Sequence, residues 1–141
     1  MIILDTNLVS ETLKPAPSDT VRRWAAAQEA SATFITAITQ AEILSGLETM
    51  AAGKRKQRLS EAIDRILTRD FHGRILPFDQ EAAREFARIF GVRKTAGRPI
   101  SQFDAMIAAI ARAHSATDAT RNVQDFEHCG IRLVNPWTDV H

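Results

Sequence analysis

Met1-Ile-Ile-Leu4, followed at once by Asp5-Thr6-Asn7, opens the chain with four apolar residues and then a carboxylate and two short polar side chains. An apolar run this short, closed by residues that favour turns and helix caps, predicts a central strand of a parallel sheet whose carboxyl end faces a ligand crevice. Asp5 then has two competing roles. It either caps the helix that follows or supplies a carboxylate to a site, and the Asp-Thr-Asn triplet alone favours the cap. The remaining acids of the chain decide between them.

Outward from this strand, short β-branched apolar runs alternate with longer stretches of helical period. Helices are expected over residues 7–13, stopped by Pro15 and Pro17, and over 18–30, with a strand at 33–36. Thr39 opens a third helix in this reading, and a fourth carries Leu59, Ile63, Ile66 and Leu67 on one stripe. Residues 74–78 form a brief strand, a fifth helix from Asp79 buries Ala82, Ala83, Phe86, Ile89 and Phe90, and 91–99 is a basic loop with two glycines. A sixth helix starts near Ser101, and strands at 116–120 and 131–134 flank a polar turn holding Asn122, Asp125 and Phe126. Strands alternating with helices predict a three-layer α/β/α fold around a central, mainly parallel sheet of about five strands.

A chain of 141 residues fits one domain, expected to span 1–141, and buries roughly two thirds of its unfolded surface. The 45% hydrophobic and 25% charged composition is that of a globular domain rather than a disordered chain. No apolar run approaches the roughly 18 residues of a membrane span, and with Asp5 so early and no basic leader a secretory signal is not expected. The single cysteine, Cys129, argues against a disulfide framework and points to a reducing cytoplasm. A net charge of +1 exerts no global pull on nucleic acid. Basic residues nonetheless cluster at Lys54-Arg55-Lys56 with Arg58 and at Arg93-Lys94 with Arg98, as solvated helix faces or as local phosphate contacts.

Two helices begin with the same signature, Thr39-x-x-Glu42 and Ser101-x-x-Asp104, which resembles a capping box. An acid there gains from backbone N–H groups and the helix dipole without doing any chemistry. Asp104 strains that explanation, because residues 103–111 hold no other charge and are apolar nearly all round, which predicts a buried helix and a partly desolvated carboxylate. Gly46, one turn beyond Glu42 inside a helix, costs about 1 kcal/mol relative to alanine, so either a close approach of a backbone or a ligand, or packing alone, accounts for it.

Asp5, Glu42, Asp104 and Asp125 thus each follow a strand or open a helix, positions that share one rim of a parallel α/β sheet. Two carboxylates about 4 Å apart repel by roughly 4 kcal/mol at an effective dielectric near 20, so such a group must bind protons or hold a cation. An all-oxygen set selects Mg²⁺ or Mn²⁺. Zinc is disfavoured, since Cys129 and His72, His114, His128 and His141 lack ligand spacing, and these histidines read as surface or structural residues. No P-loop, no Gly-x-Ser-x-Gly elbow and no Asp-x-Asp phosphatase element occurs. A divalent metal among carboxylates suits phosphodiester hydrolysis.

Met1-Ile-Ile-Leu-Asp5-Thr6-Asn7, Ala41-Glu42-Ile-Leu-Ser-Gly46, Phe103-Asp104-Ala-Met-Ile-Ala-Ala and Thr120-Arg-Asn122-Val-Gln-Asp125-Phe126 resemble, in order and spacing, the motifs of the PIN-domain family. The likeness is to its VapC-type toxins and the related FitB and plasmid-stability proteins, and it extends through residues 73–79 and Asn135-Pro-Trp137. The resemblance implies a Mg²⁺-dependent endoribonuclease restrained by a small cognate VapB-like antitoxin. It implies dimers and toxin–antitoxin hetero-oligomers, with operator DNA bound only through the antitoxin. By position, Asp5, Glu42 and Asp104 match the acidic, metal-holding triad.

At the fourth position many PIN domains carry an acid where Asn122 stands, and the role passes either to Asp125 or to a water held by Asn122. Thr6, Asn7 and Thr120 are supporting candidates, with Thr6 and Asn7 also expected to cap the first helix. Asp118 falls inside the fourth strand, where an apolar residue is expected. It faces the carboxylates, pairs with a basic residue, or shows that the strand starts later, the last being the first choice. The rival reading is a catalytically weak PIN partner of a DNA-binding antitoxin, acting as a transcriptional or trafficking regulator; a metal-dependent phosphatase ranks last.

Overall fold

The computed structural model describes residues 1–139, so His141 lies outside the described residues. The opening run forms β1 (Ile2–Leu4), followed by α1 (Thr6–Thr12) and α2 (Asp19–Ala27). Then come β2 (Thr33–Thr36), α3 (Ala37–Glu48) and α4 (Lys54–Arg65), which runs on as a π-helical turn over Ile66–Asp70. β3 (Ile75–Leu76), α5 (Gln80–Thr95), α6 (Gln102–Ala113), β4 (Thr117–Ala119) and β5 (Arg132–Val134) complete the order. The five strands make one sheet in the order β3-β2-β1-β4-β5, and every pairing is parallel. The expectation of a mainly parallel sheet is therefore met in full.

β1 is the central strand and both its faces are covered. Ile3 points to the side of α5 and α6, where it packs in one core with Ile89, Ile107 and Phe126. Leu4 points to the other side, with Leu8, Val21, Trp24, Ile43 and Ile63 from α1 to α4. The two cores on opposite faces of the sheet are the interfaces between three layers, helices, sheet and helices. In α6, Ala105 and every residue from Ile107 to Ala111 are fully buried, and the small alanines let this helix lie close against the sheet and α5.

Several local expectations are corrected. Phe103, Phe90 and Ala83 are exposed, although the apolar pattern assigned Phe90 and Ala83 to the core. α5 continues through Gly91 to Thr95, which leaves only a short loop before α6. The reason is Arg93, which is buried and donates to the carbonyl oxygens of Arg98, Pro99, Asp125 and Glu127. That tertiary anchoring outweighs the local helix-breaking tendency of glycine, and it removes Arg93 from the candidate phosphate contacts. α3 starts at Ala37, with Thr36 as its cap, rather than at Thr39. β4 starts at Thr117 and contains Asp118, so the later strand start is wrong.

Packing predicts a sharp contrast within α6. Ile107→Ala is expected to cost about 2–5 kcal/mol, whereas Phe103→Ala on the same helix is expected to change stability by less than about 0.5 kcal/mol. Urea unfolding of the two variants measures both.

Candidate active site

The sheet order places β1 between β2 and β4, so chain connections leave β1 and β4 in opposite directions and open a crevice at their carboxyl ends. Asp5 and Thr120 stand there side by side. The Asp5 amide donates to the Ala119 carbonyl at 2.9 Å, continuing the β1–β4 ladder by one bond. The Thr120 hydroxyl then donates to Asp5 Oδ2 at 2.8 Å, and Asn7 Nδ2 donates to the same oxygen at 3.0 Å and to Thr120 Oγ1 at 3.1 Å. Asn7 Oδ1 accepts from the Arg121 amide at 3.3 Å, and Thr120 Oγ1 accepts from the Asn122 amide at 3.1 Å.

Asp5 occupies the N-cap position of α1 but makes no side-chain cap hydrogen bond. Capping does not explain it. Nor do Thr6 and Asn7 cap the helix: both lie inside its first turn and direct their side chains across the site. Asp5 Oδ1 is buried with no hydrogen-bond partner. Burial pushes the Asp5 pKa up to about 6, with the Thr120 hydroxyl and Thr6 amide pulling it down and the charges of Asp104 and Glu42 raising it further.

Glu42 stands in the second turn of α3, not in the first, because Thr36 caps that helix by accepting the Thr39 amide at 3.1 Å. A chain of hydroxyls ends on it. Thr6 Oγ1 donates to Glu42 Oε1 at 2.9 Å, Thr39 and Thr6 hydroxyls are 2.9 Å apart, and Thr36 donates to Thr39 at 3.4 Å. Because each hydroxyl has one proton and Thr6 gives its own to Glu42, the bond between Thr39 and Thr6 must run from Thr39. Thr36 and Thr39 escaped the sequence reading as site residues. The signal was present in the three-residue spacing Thr36-x-x-Thr39-x-x-Glu42. Partial burial raises the Glu42 pKa, the Thr6 bond opposes that, and Asp104 adds to it.

Asp104 is half-buried at the start of α6, whose cap is Ser101, accepting the Asp104 amide at 3.2 Å. Burial raises its pKa, contact with Ser101 lowers it, Asp125 raises it and Arg93 lowers it. Asp125 lies exposed on the 3-10 turn Val123–Phe126, within electrostatic reach of Asp104. Asn122 opens that turn, exposed, and is tied to the site by its amide. Asp5, Glu42 and Asp104 therefore act on one another, and Asp125 joins through Asp104. Among the described residues, no three Asp, Glu, His or Cys side chains already form a metal-holding group. His72, His114 and His128 are exposed.

A groove of about 700 Å³ runs from Thr6 and Glu42 past Gly46 to Leu59, with Lys14, Arg55 and Arg58 along it. A Cβ at Gly46 would meet nothing within 4 Å, so no other backbone approaches this glycine as its position suggested. The space above it is the groove.

The raised carboxylates make stability depend on pH. Each binds its proton more tightly folded than unfolded, so the metal-free protein loses stability as pH rises from about 4 through about 6, where Asp5 ionises. Asp5 alone contributes about 3 kcal/mol to that slope, from a shift of 3.8 to about 6. Urea midpoints measured in chelator between those limits are expected to fall with pH, and Asp5→Asn is expected to flatten the fall.

Residues 2–130 match the PIN domain family model. The chain is 40% identical to the VapC ribonuclease Y4jK of Sinorhizobium fredii, over 97% of this chain and 98% of that protein. It is likewise 40% identical to toxin FitB of Neisseria gonorrhoeae, over 99% of this chain and 100% of that one. A solved structure of FitAB bound to a DNA fragment superposes with a TM-score of 0.94 at 39% identity, covering 100% of this chain and 99% of that one. The ordered motifs, the all-parallel sheet and the acid-lined crevice thus have one common origin: the chain belongs to the PIN-domain family.

Proposed function

We propose that this chain, residues 1–141 as one PIN domain, is the toxin of a type II toxin–antitoxin pair and a divalent-metal-dependent endoribonuclease acting in the cytoplasm. The observation that carries the reading is Asp5, a buried carboxylate with one oxygen held by Thr120 and Asn7 and the other, Oδ1, left without a partner beside Glu42 and Asp104. A buried, unpaired carboxylate oxygen among like charges is the environment a hard cation stabilises. The donors are all oxygen, which fits Mg²⁺ or Mn²⁺, with Asp5, Asp104 and Glu42 as the holding residues. When bound, the metal would acidify a water and offset charge on the phosphodiester.

The protein's own part is orientation. Thr120 and Asn7 fix Asp5 so that Oδ1 faces inward, and the hydroxyl chain from Thr36 through Thr39 and Thr6 fixes Glu42. In this reading Asp125, exposed within electrostatic reach of Asp104, would serve as the base for the attacking water, and the Asn122 side chain would hydrogen-bond that water or a phosphate oxygen. Lys14, Arg55 and Arg58 on the groove side give the RNA backbone cationic contacts. Arg121, beside Thr120, lies over the Trp137 ring at 5.2 Å and presents a further cation at the rim.

The partner of this reading is a small cognate antitoxin, supported by the likeness to FitB and to the FitAB structure on DNA. The apolar groove beside Glu42 is its seat, DNA is reached through the antitoxin, and toxin homodimers pair two such complexes. The regulator reading rests on Asn122 standing where an acid would supply charge; a chain that binds antitoxin but no Mg²⁺ or Mn²⁺ at millimolar levels supports it.

Purified chain free of antitoxin is expected to cleave RNA in Mg²⁺, and Asp5→Asn or Asp104→Asn to lower the rate at least about 100-fold. Equal cleavage by all three proteins would mean a contaminating nuclease and defeat the assignment. Gly46→Met tests the groove: it fills open space on a helix, so the free chain is expected to gain about 1 kcal/mol while losing affinity for the antitoxin in a pull-down titration.

A further inference from the structure

Asp118 sits in the middle of β4, opposite Ile3 of β1 and Leu133 of β5, and is fully buried. Neither of its carboxylate oxygens has a hydrogen-bond partner. Alternation along the strands sets its direction. Ile3 packs into the core beside α6, whereas Leu4 and Ala119 pack into the opposite core, so Asp118 and Thr120 on β4, like Ile3 and Asp5 on β1, face α6. Asp118 therefore lies one step below Thr120 on the face from which Asp5 and, across on α6, Asp104 approach the crevice.

The groups acting on it are those of that face. Burial lifts the Asp118 pKa well above the ordinary range, and the charges of Asp5 and then Asp104 lift it further. An unpartnered carboxyl in a central strand is among the most costly groups a core can hold, and none of the hydrogen-bond networks around Asp5 or Glu42 uses it. What would offset it is positive charge between it and the two acids above.

On the reading of the site as a divalent-cation site, we propose that Asp118 is a positioning residue, a buried floor beneath Asp5 and Asp104 that is neutral while the site is empty and, once a cation offsets those two acids, releases its proton to solvent and adds its negative charge to the hold on the ion. The effect is through space and reciprocal: a carboxyl held neutral by burial and by the charges of Asp5 and Asp104 ionises more readily once a dication binds nearby, and its ionisation in turn strengthens the hold on that dication. It never meets the RNA. It also supplies from below the charge that Asn122 does not supply from the rim.

The test uses the full chain stripped with chelator, titrated with Mn²⁺ by calorimetry, and melted with and without Mn²⁺, as wild type, Asp118→Asn and Asp118→Leu. The metal-free variants are expected to melt at or above the wild-type temperature, because a costly group is gone. Their Mn²⁺ affinity is expected to fall roughly 10- to 100-fold, and the Mn²⁺-induced rise in melting temperature to shrink with it. A purely structural Asp118 would move the metal-free melting temperature and leave the affinity alone. Affinity within twofold of wild type in Asp118→Asn overturns the proposal, and that near-isosteric variant decides the matter if Asp118→Leu does not fold. Wild-type chain that binds no Mn²⁺ overturns the cation reading and this role together, whereas wild-type binding with unchanged variants overturns the role of Asp118 alone.

Discussion

The lateral pairing of β1 with β4 is the contact on which the rest depends. These strands are separated by more than a hundred residues of sequence, yet their register delivers the Asp5 amide to Ala119 and the Thr120 hydroxyl to the Asp5 carboxylate. A slip of one residue would turn Asp5 into the core of α1 to α4 and present Leu4 to the crevice, because side chains alternate between faces. Both faces of β1 are sealed by apolar layers, so such a slip is heavily penalised. The site inherits its precision from the core. The same pairing creates the point where the order of the sheet reverses, which is why the acids gather there and not at another edge.

That gathering is costly to the fold. Moving one carboxyl pKa from 3.8 to about 6 corresponds to about 3 kcal/mol at neutral pH, comparable to truncating one large core side chain. Glu42, Asp104 and Asp118 are shifted in the same direction. The offset comes from the alanine-rich α6, packed without exposed surface from Ile107 to Ala111, and from Arg93, which ties the end of α5 to the turn carrying Asp125. Arg93 also places a positive charge near Asp104. A scaffold that holds acids together against their repulsion is the arrangement that the proposed cation would stabilise.

Much of this was legible in the sequence, and the failures have identifiable causes. The strand at 33–36 and the acid after β1 were readable because a β-branched run ending in polar turn formers has few alternative meanings. The start of α3 was misread because Thr36 and Thr39 are both competent caps, and only the reach of β2 into the sheet decides for Thr36. α5 overran its expected end because the partners of Arg93 are distant in sequence, beyond any local rule. Phe90 and Phe103 fit a helical stripe, but a stripe does not say where the neighbouring layer stops, and both remain exposed. The hydroxyl chain behind Glu42 joins α1 to α3, so its members could be named from spacing but not their connection.

Asp118 was the residue that sequence logic resisted, and the resistance is informative. Moving the start of the strand would have removed the conflict between an acid and a buried position, but the register keeps Asp118 paired between Ile3 and Leu133. Asp125, by contrast, lies exposed on its turn, where solvent and salt screen its charge. A charge of the same sign acts more strongly from the low-dielectric side of the site than from the rim. Of the two acids that flank the triad, the buried one is therefore the one whose charge, if it ionises, would weigh more on a bound cation.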